Sequence, residues 1–221
     1  MRHPFRKKWG QNFLRDPNII TKIINCLDIE NNDLILEIGP GDGALTNELC
    51  KKNVTVHAVE IDPLLINFLS KKKLSNLYLY NEDILKWDYK ILTNNCKIIG
   101  NLPYYLSSPI LFHFLQIQQW RRMVLMFQKE VAQRIVASPN SKSYGRLSVM
   151  CQVYTDVKIE FIIKKNVFYP KPDVESAVIS FNCKKNNLPD INLFSNFVKQ
   201  AFSHRRKTLK NNLLNNYKIT C

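Results

Sequence analysis

The sequence is poor in acidic residues and has no grouping of cysteines that would hold a metal. Asp and Glu number 18 against 32 Lys and Arg, which gives a formal net charge of +14 over 221 residues. The six cysteines are widely scattered, none is part of a C-x-x-C pair, and no histidine stands at metal-ligand spacing. This pattern predicts free thiols in a reducing cytoplasm and no metal site.

Long apolar runs are also absent from the sequence. No stretch approaches the roughly 20 residues that a membrane-spanning helix needs, and the N-terminus lacks the apolar centre of a signal peptide. The basic N-terminus also lacks the Ser-rich, amphipathic character of a transit peptide. We therefore expect a soluble intracellular protein with no membrane partner.

The composition indicates a globular chain with a polyanionic partner. Hydrophobic residues make up 45% of the chain and charged residues 23%, which fits one α/β domain with a small appendage. The basic excess predicts binding to a polyanion that weakens steeply with salt. Because Asn, Lys and Ile are abundant, as in proteins from AT-rich genomes, part of the lysine excess carries no function. The basic segments 6–8 and 205–207 are more specific signals than the total.

Strand-like and helix-like segments alternate through most of the chain. Strands are predicted at 34–38, 54–60, 77–80, 97–100 and 123–128, and helices at 17–27, 44–52, 63–72, 109–116 and 129–137. This alternation predicts an α/β fold with a doubly wound, mostly parallel sheet. The polar loop 138–146 is expected to be mobile and near the substrate, or to be a plain surface connection.

Two further strands and a helical tail complete the predicted organisation. Strands at 157–163 and 176–181 are close in sequence and should pair antiparallel at the edge of the sheet. Residues 182–189 are a predicted polar linker, and 191–221 are predicted to form one or two helices. The predicted domains are therefore 1–185 and a short C-terminal helical domain at 190–221.

Glycines and two acidic residues at predicted strand ends indicate a nucleotide-like cofactor. Gly39, Gly41 and Gly43 lie between a strand and a helix, where a ligand can approach the backbone closely. A carboxylate at Glu60 can hold both hydroxyls of a ribose, and one at Asp83 can accept from an adenine amino group. A dinucleotide site has glycines here too. The Gly-x-Gly-x-Gly spacing and both acids together favour an adenosine-containing cofactor without a pyrophosphate, such as S-adenosylmethionine.

The tetrapeptide Asn101-Leu102-Pro103-Tyr104 predicts a site of amine methylation at a strand end. The exocyclic amine of a base is a poor nucleophile because its lone pair is delocalised into the ring. The Asn101 amide oxygen and the Leu102 carbonyl can accept hydrogen bonds from its two N–H groups, which would favour a pyramidal, reactive nitrogen. Pro103 restricts the backbone here, and Tyr104 offers a face for stacking. By itself the tetrapeptide is equally compatible with an ordinary X-Pro turn.

Five motifs in the chain together resemble those of the ribosomal RNA adenine dimethyltransferases. They are Lys8-Trp9-Gly10-Gln11-Asn12-Phe13-Leu14, Glu37-Ile38-Gly39-Pro40-Gly41-Asp42-Gly43, Asn101-Leu102-Pro103-Tyr104, Phe168-Tyr169-Pro170-Lys171-Pro172-Asp173-Val174-Glu175-Ser176 and His204-Arg205-Arg206-Lys207-Thr208-Leu209. The resemblance is closest to the bacterial small-subunit enzyme, which dimethylates two adjacent adenines in a hairpin near the 3′ end of 16S ribosomal RNA. It implies a monomeric, cytoplasmic, Rossmann-like methyltransferase that uses S-adenosylmethionine and acts in ribosome biogenesis.

The resemblance also implies roles for individual residues. The implied cofactor-binding residues are Asn12, Leu14, Gly39, Gly41, Glu60, Ile61, Asp83, Ile84 and Asn101, with the N-terminal segment 1–17 contributing to this site. The implied catalytic residues are Asn101, Leu102, Pro103, Tyr104 and Phe168. Tyr104 and Phe168 would sandwich the flipped target adenine, although Phe168 could instead be a core aromatic residue. The implied RNA-binding residues are Arg6, Lys7, Lys8, Arg205, Arg206, Lys207 and Lys210.

Alternatives remain at the level of substrate and role. The large-subunit methyltransferases of the macrolide-resistance type share fold, cofactor and chemistry, but usually have Ile in place of Leu102. A ribosome assembly factor with secondary catalysis is a different class of function. A DNA adenine methyltransferase is disfavoured because no separate target-recognition domain is evident. In the family the C-terminal domain continues well beyond the His204 motif, so the chain is expected to have a short, apparently truncated one.

Overall fold

Alternating strands and helices form the framework of the protein in the computed structural model, which describes residues 12–93, 95–184, 189–204 and 206–213. The strands are β1 (Phe13–Leu14), β2 (Leu34–Ile38), β3 (Thr55–Val59), β4 (Leu77–Tyr80), β5 (Lys97–Gly100), β6 (Arg122–Gln128), β7 (Thr155–Ile163), β8 (Phe168–Tyr169) and β9 (Ser176–Cys183). The helices are α1 (Pro17–Asn25), α2 (Ala44–Leu49), α3 (Pro63–Ser70), α4 (Tyr104–Ile117), α5 (Lys129–Ile135), α6 (Arg146–Tyr154), α7 (Ile191–Ala201) and α8 (Leu209–Leu213).

Seven strands form one sheet in the order β4-β3-β2-β5-β6-β9-β7, and β1 pairs separately with β8. Neighbouring strands from β4 to β6 are parallel, whereas β9 runs antiparallel to both β6 and β7. The predicted mostly parallel α/β fold is therefore confirmed. The antiparallel pairing of the last two strands is also confirmed, but only β7 lies at the edge because β9 is inserted beside β6.

The two faces of the sheet carry separate hydrophobic clusters. Ile98 belongs to one cluster and its neighbour Ile99 to the other, because successive strand residues point to opposite faces. Because helices cover both faces of the sheet, the parallel strands are nearly continuous apolar runs in the sequence. Among the described cysteines no disulfide is formed, and burial raises the pKa of the Cys96 thiol to about 12.

Two helices differ from the sequence prediction. Helix α4 begins at Tyr104 rather than near residue 109, so Pro109 lies inside it. The apolar face containing Ile110 and Phe114 packs into the core and outweighs the hydrogen bond that the proline cannot donate. Helix α6 was not predicted at all. Because it is buried on several sides, its sequence lacks the one-sided apolar stripe that reveals a surface helix.

The C-terminal helix α7 packs against the main domain. Val198 belongs to the same hydrophobic cluster as Ile98, the Tyr154 hydroxyl donates to the Pro189 carbonyl at 3.1 Å, and the Arg146 guanidinium donates to Ser195 Oγ at 3.2 Å. Part of the predicted linker, 185–188, lies outside the described residues, and the domain boundaries stay a prediction. Within the described ranges, every helix is too short or too polar to cross a bilayer.

Candidate active site

A pocket opens where β2, β3 and β5 end. Ligands of open α/β sheets bind at this edge, outside the carboxyl ends of the strands. All nine residues predicted to bind the cofactor line the pocket: Asn12, Leu14, Gly39, Gly41, Glu60, Ile61, Asp83, Ile84 and Asn101. The structure therefore brings together residues that the sequence distributes over about ninety positions.

The glycine-rich loop after β2 exposes its backbone to the pocket. Gly39 has a φ of +63°, and a Cβ atom built there would meet no heavy atom within 4 Å. The space above Gly39 is therefore open to a ligand. A side chain at this position would partly fill that space. Gly41 has a φ of +60°, and a Cβ atom there would lie 3.2 Å from the Phe13 ring. Glycine at this position lets the N-terminal segment pack directly on the loop.

Glu60 presents a buried carboxylate at the end of β3. The residue is 5% exposed, and its side chain accepts hydrogen bonds from the Gly41 N–H at 3.2 Å and the Asp62 N–H at 2.9 Å. Burial raises the pKa of the Glu60 carboxyl, while these backbone hydrogen bonds favour the charged form. Each carboxylate oxygen has a further acceptor position. The pair of oxygens is thus suited to two adjacent ligand hydroxyls.

Asp83 lies at the start of a turn after β4 and lines the pocket. Its Oδ1 accepts from the Leu85 N–H at 3.0 Å, which holds the carboxylate at the rim of the pocket. Ile84 is buried and Ile61 is exposed, and both line the same pocket. An acceptor beside two aliphatic side chains matches a flat heterocycle that carries an amino group.

Glu37 is a pocket residue whose role the sequence reasoning missed. It is 1% exposed, and its Oε2 has no hydrogen-bond partner among the described residues. Burial raises the pKa of its carboxyl to about 7. The signal in the sequence was a single acid within the apolar strand β2. An unpartnered buried carboxylate oxygen at a pocket wall fits a cationic ligand group.

The Asn-Leu-Pro-Tyr motif, which follows β5, forms another part of the pocket wall. Its four residues all line the pocket, and the Asn101 Nδ2 donates to the Asn12 carbonyl at 2.8 Å. The Tyr104 hydroxyl lies 2.8 Å from Ser176 Oγ, and burial raises the pKa of Tyr104. The exposed Tyr105 also lines the pocket and had been given no role.

Phe168 does not line the pocket in this conformation. The residue is 4% exposed and lies in the hydrophobic cluster that contains Leu14, its partner across the β1–β8 pair. This position matches the alternative interpretation of Phe168 as a core aromatic residue. Stacking on a target base stays a prediction that requires the ring to turn out of this cluster.

Only some of the predicted RNA-binding residues lie in the part of the chain that the structure describes. Arg6, Lys7, Lys8 and Arg205 lie outside the described residues, whereas Arg206, Lys207 and Lys210 are exposed at the C-terminal helices. Their contact with RNA stays a prediction. The loop before α6 forms an exposed turn, and its proximity to substrate is likewise still a prediction.

Fold and pocket together define a Rossmann-like methyltransferase. A dimethyladenosine transferase from Plasmodium falciparum superimposes with a TM-score of 0.81 at 30% identity, covering 92% of this chain and 75% of that chain. The 23S rRNA methyltransferase ErmE superimposes with a TM-score of 0.78 at 26% identity, covering 93% and 85%.

Sequence relatives narrow the class further. A protein of Mycoplasma mobile named ribosomal RNA small subunit methyltransferase A is 44% identical over 99% of this chain and 87% of the relative. A protein of the same name from Francisella tularensis subsp. novicida is 46% identical over 94% of this chain and 83% of the relative. The family model "Ribosomal RNA adenine dimethylase" matches residues 2–220. The chain belongs to the ribosomal RNA adenine dimethylase family.

Proposed function

We propose that this protein transfers methyl groups from S-adenosylmethionine to two adjacent adenines in the 3′-terminal hairpin of 16S ribosomal RNA, giving N6,N6-dimethyladenosine. The observation that carries the proposal is that the cofactor-type residues and the Asn101 motif line one pocket. The identity of 44–46% to proteins named small subunit methyltransferase A supports the small subunit as the substrate. The protein would act as a cytoplasmic monomer during ribosome biogenesis.

The residues present in the pocket fit S-adenosylmethionine. The Glu60 carboxylate would hold the ribose hydroxyls, Asp83 would accept from the adenine amino group, and the open space over Gly39 would admit the methionine part. The unpartnered Glu37 oxygen fits the ammonium group, which is the cationic end of the methionine part. When bound, this cofactor supplies an electrophilic methyl group without a metal, because its sulfur is a sulfonium.

The Asn101 motif would then prepare the target nitrogen. In the first transfer, the Asn101 Oδ1 and the Leu102 carbonyl would accept hydrogen bonds from the two N–H groups of the adenine amine and free its lone pair for attack. In the second transfer, the one remaining N–H group would donate to one of these two acceptors. Tyr104 would stack on the base after it has flipped out of the RNA helix. A strong general base is unnecessary because the nitrogen becomes acidic only as it is methylated. The main task of the site is alignment of nitrogen, methyl carbon and sulfur.

A large-subunit substrate is the second candidate, favoured by the superposition on ErmE. Chemistry and cofactor would be the same, and only the RNA would differ. The higher identity to the small-subunit relatives and the Leu at position 102 favour 16S ribosomal RNA. A third hypothesis is that the protein acts mainly in ribosome assembly and that its catalysis is secondary.

A binding and product assay tests the proposed chemistry. The protein should bind S-adenosylmethionine, and incubation with unmethylated small subunits should yield N6,N6-dimethyladenosine. Asn101→Ala should abolish the product while cofactor binding remains measurable, since Glu60, Asp83 and Gly39 are unchanged. Cofactor binding without any methylated nucleoside on either ribosomal subunit would favour the assembly role.

A further inference from the structure

Residues 12–14 form part of the pocket wall, and the segment 12–15 contacts three separate parts of the site. Phe13 and Leu14 form β1 and pair with β8, the strand that carries Phe168. The backbone N–H of Arg15 extends this contact by donating to the Val167 carbonyl at 2.9 Å. Phe13 packs on the glycine loop, where a Cβ atom at Gly41 would lie 3.2 Å from its ring. Departure of this segment would therefore open the cofactor pocket.

The same segment fixes the orientation of the Asn101 amide. Asn101 Nδ2 donates to the Asn12 carbonyl at 2.8 Å. Because a carbonyl oxygen accepts and cannot donate, rotation of the amide by half a turn would lose this hydrogen bond. Nδ2 therefore faces residue 12, and Oδ1 faces away from it. Oδ1 is the atom that the proposed reaction needs as an acceptor for the target amine.

An ion pair joins this segment to the cofactor loop. Arg15 Nη1 lies 2.6 Å from Asp42 Oδ2, with the Asp42 side chain 14% exposed and the Arg15 side chain 51% exposed. The Asp42 carbonyl accepts in turn from Lys72 Nζ at 3.1 Å, so the loop end of the pair is held in place. The other polar contacts of residues 12–15 described above use backbone atoms. The Arg15–Asp42 pair is thus the one among them that a substitution within residues 12–15 removes.

We infer that the Arg15–Asp42 pair is a latch that keeps residues 12–15 against the pocket and thereby keeps Asn101 oriented for catalysis. The inference rests on the proposed function, since it assigns both residues to the same cofactor and the same reaction. Arg15 and Asp42 are positioning residues that act on the target amine through Asn101. Loss of the latch should therefore speed cofactor release and also lower turnover at saturating cofactor.

Four variants test the latch: Arg15→Gln, Arg15→Lys, Asp42→Asn and the double variant Arg15→Gln/Asp42→Asn. The readouts are the dissociation rate of S-adenosylhomocysteine and kcat on unmethylated small subunits at saturating cofactor. Arg15→Gln and Asp42→Asn should each raise the dissociation rate about three- to fivefold, as loss of a partly exposed ion pair implies, and lower kcat. Arg15→Lys should stay near the unsubstituted protein. The double variant should be no worse than Arg15→Gln, because both substitutions remove the ion pair and Arg15→Gln alone also removes the contact of the guanidinium with the Phe13 ring, 5.6 Å from the ring centroid.

Salt and a matched control separate the latch from a general charge effect. High salt should raise the dissociation rate of the unsubstituted protein toward that of Arg15→Gln, and should leave the variant nearly unchanged. Lys51→Gln makes the same charge change in the exposed Lys51–Glu48 pair, in which Nζ and Oε1 are 2.5 Å apart. This pair lies at the opposite end of α2 from Asp42, so the variant should change neither the dissociation rate nor kcat.

Two results would overturn the latch. One is an unchanged dissociation rate and kcat in Arg15→Gln, and the other is an additive effect in the double variant. An unsubstituted protein that binds no S-adenosylhomocysteine would overturn the proposed function, and the latch with it.

Discussion

The hydroxyl groups of Tyr104 and Ser176 lie 2.8 Å apart, and this contact ties the Asn-Leu-Pro-Tyr motif to the first residue of β9. Tyr104 is also the first residue of α4, so its ring is fixed from two elements. The sequence indicated an aromatic face for stacking but gave no sign of this anchor. The contact separates two contributions of Tyr104 that substitution can measure independently, the face of the ring and the hydroxyl.

Tyr104→Ala should lower kcat by roughly 5- to 150-fold, the range expected for loss of one base–aromatic stack. Tyr104→Phe should lower it far less, because the ring remains and only the contact with Ser176 is lost. Both variants should bind S-adenosylhomocysteine nearly as well as the unsubstituted protein. Equal losses of kcat in the two variants would assign the role of Tyr104 to its hydroxyl instead.

Phe168→Leu should lower kcat about tenfold while the protein stays folded. Leu keeps most of the apolar volume that Phe168 fills beside Leu14, so the stability cost should be below about 1.5 kcal/mol. Leu has no ring to stack on the target base. Phe168→Ala is a poorer test, because truncation of a buried Phe costs about 3–5 kcal/mol of stability. Unchanged turnover in Phe168→Leu would leave Phe168 as a core residue only.

Glu37 should make the stability of the cofactor-free protein depend on pH. Its pKa is raised by burial from 4.5 to about 7, so the folded state holds a proton that the unfolded state releases between these values. Folding stability therefore falls as pH rises through this window. Glu37→Gln should remove this pH dependence. The free energy of unfolding of the variant, relative to that of the unsubstituted protein, should therefore rise by up to about 3 kcal/mol from the lower to the upper end of the window.

Urea unfolding below pH 4.5 and above pH 7 measures this difference. Above pH 7 the same variant should bind S-adenosylmethionine more weakly, because an amide cannot pair with the ammonium group as a carboxylate does. An equal stability difference at both pH values would contradict the raised pKa of Glu37.

Neutralisation of Arg206 and Lys207 should reduce the salt dependence of RNA binding. Each lost phosphate contact should lower the slope of log K against log salt by about 0.7 to 0.9. The measurement is binding of the 16S hairpin over a range of salt concentrations. Lys51→Gln with Lys52→Gln makes the same charge change elsewhere and should keep the original slope. An unchanged slope in the Arg206 and Lys207 variant would place both residues on a merely solvated face.

The strand ends that build the pocket could be predicted because buried parallel strands leave continuous apolar runs in the sequence. Gly39, Glu60 and Asn101 each follow such a run, which is sufficient to place them at one edge of the sheet. The Arg15–Asp42 pair could not be predicted, since nothing in the sequence matches one arginine to one distant carboxylate. The choice between the two interpretations of Phe168 could not be made from the sequence either, because β1 and β8 have only two residues each and show no periodicity.

Methyl transfer from labelled S-adenosylmethionine, with the modified nucleotides mapped, is the most direct test of the account. Unmethylated small subunits and large-subunit RNA should be offered separately, with Asn101→Ala as the inactive control. The account predicts N6,N6-dimethyladenosine at two adjacent adenines of the 3′-terminal hairpin of 16S ribosomal RNA and no label in the large-subunit RNA. Label in the large-subunit RNA alone would contradict it.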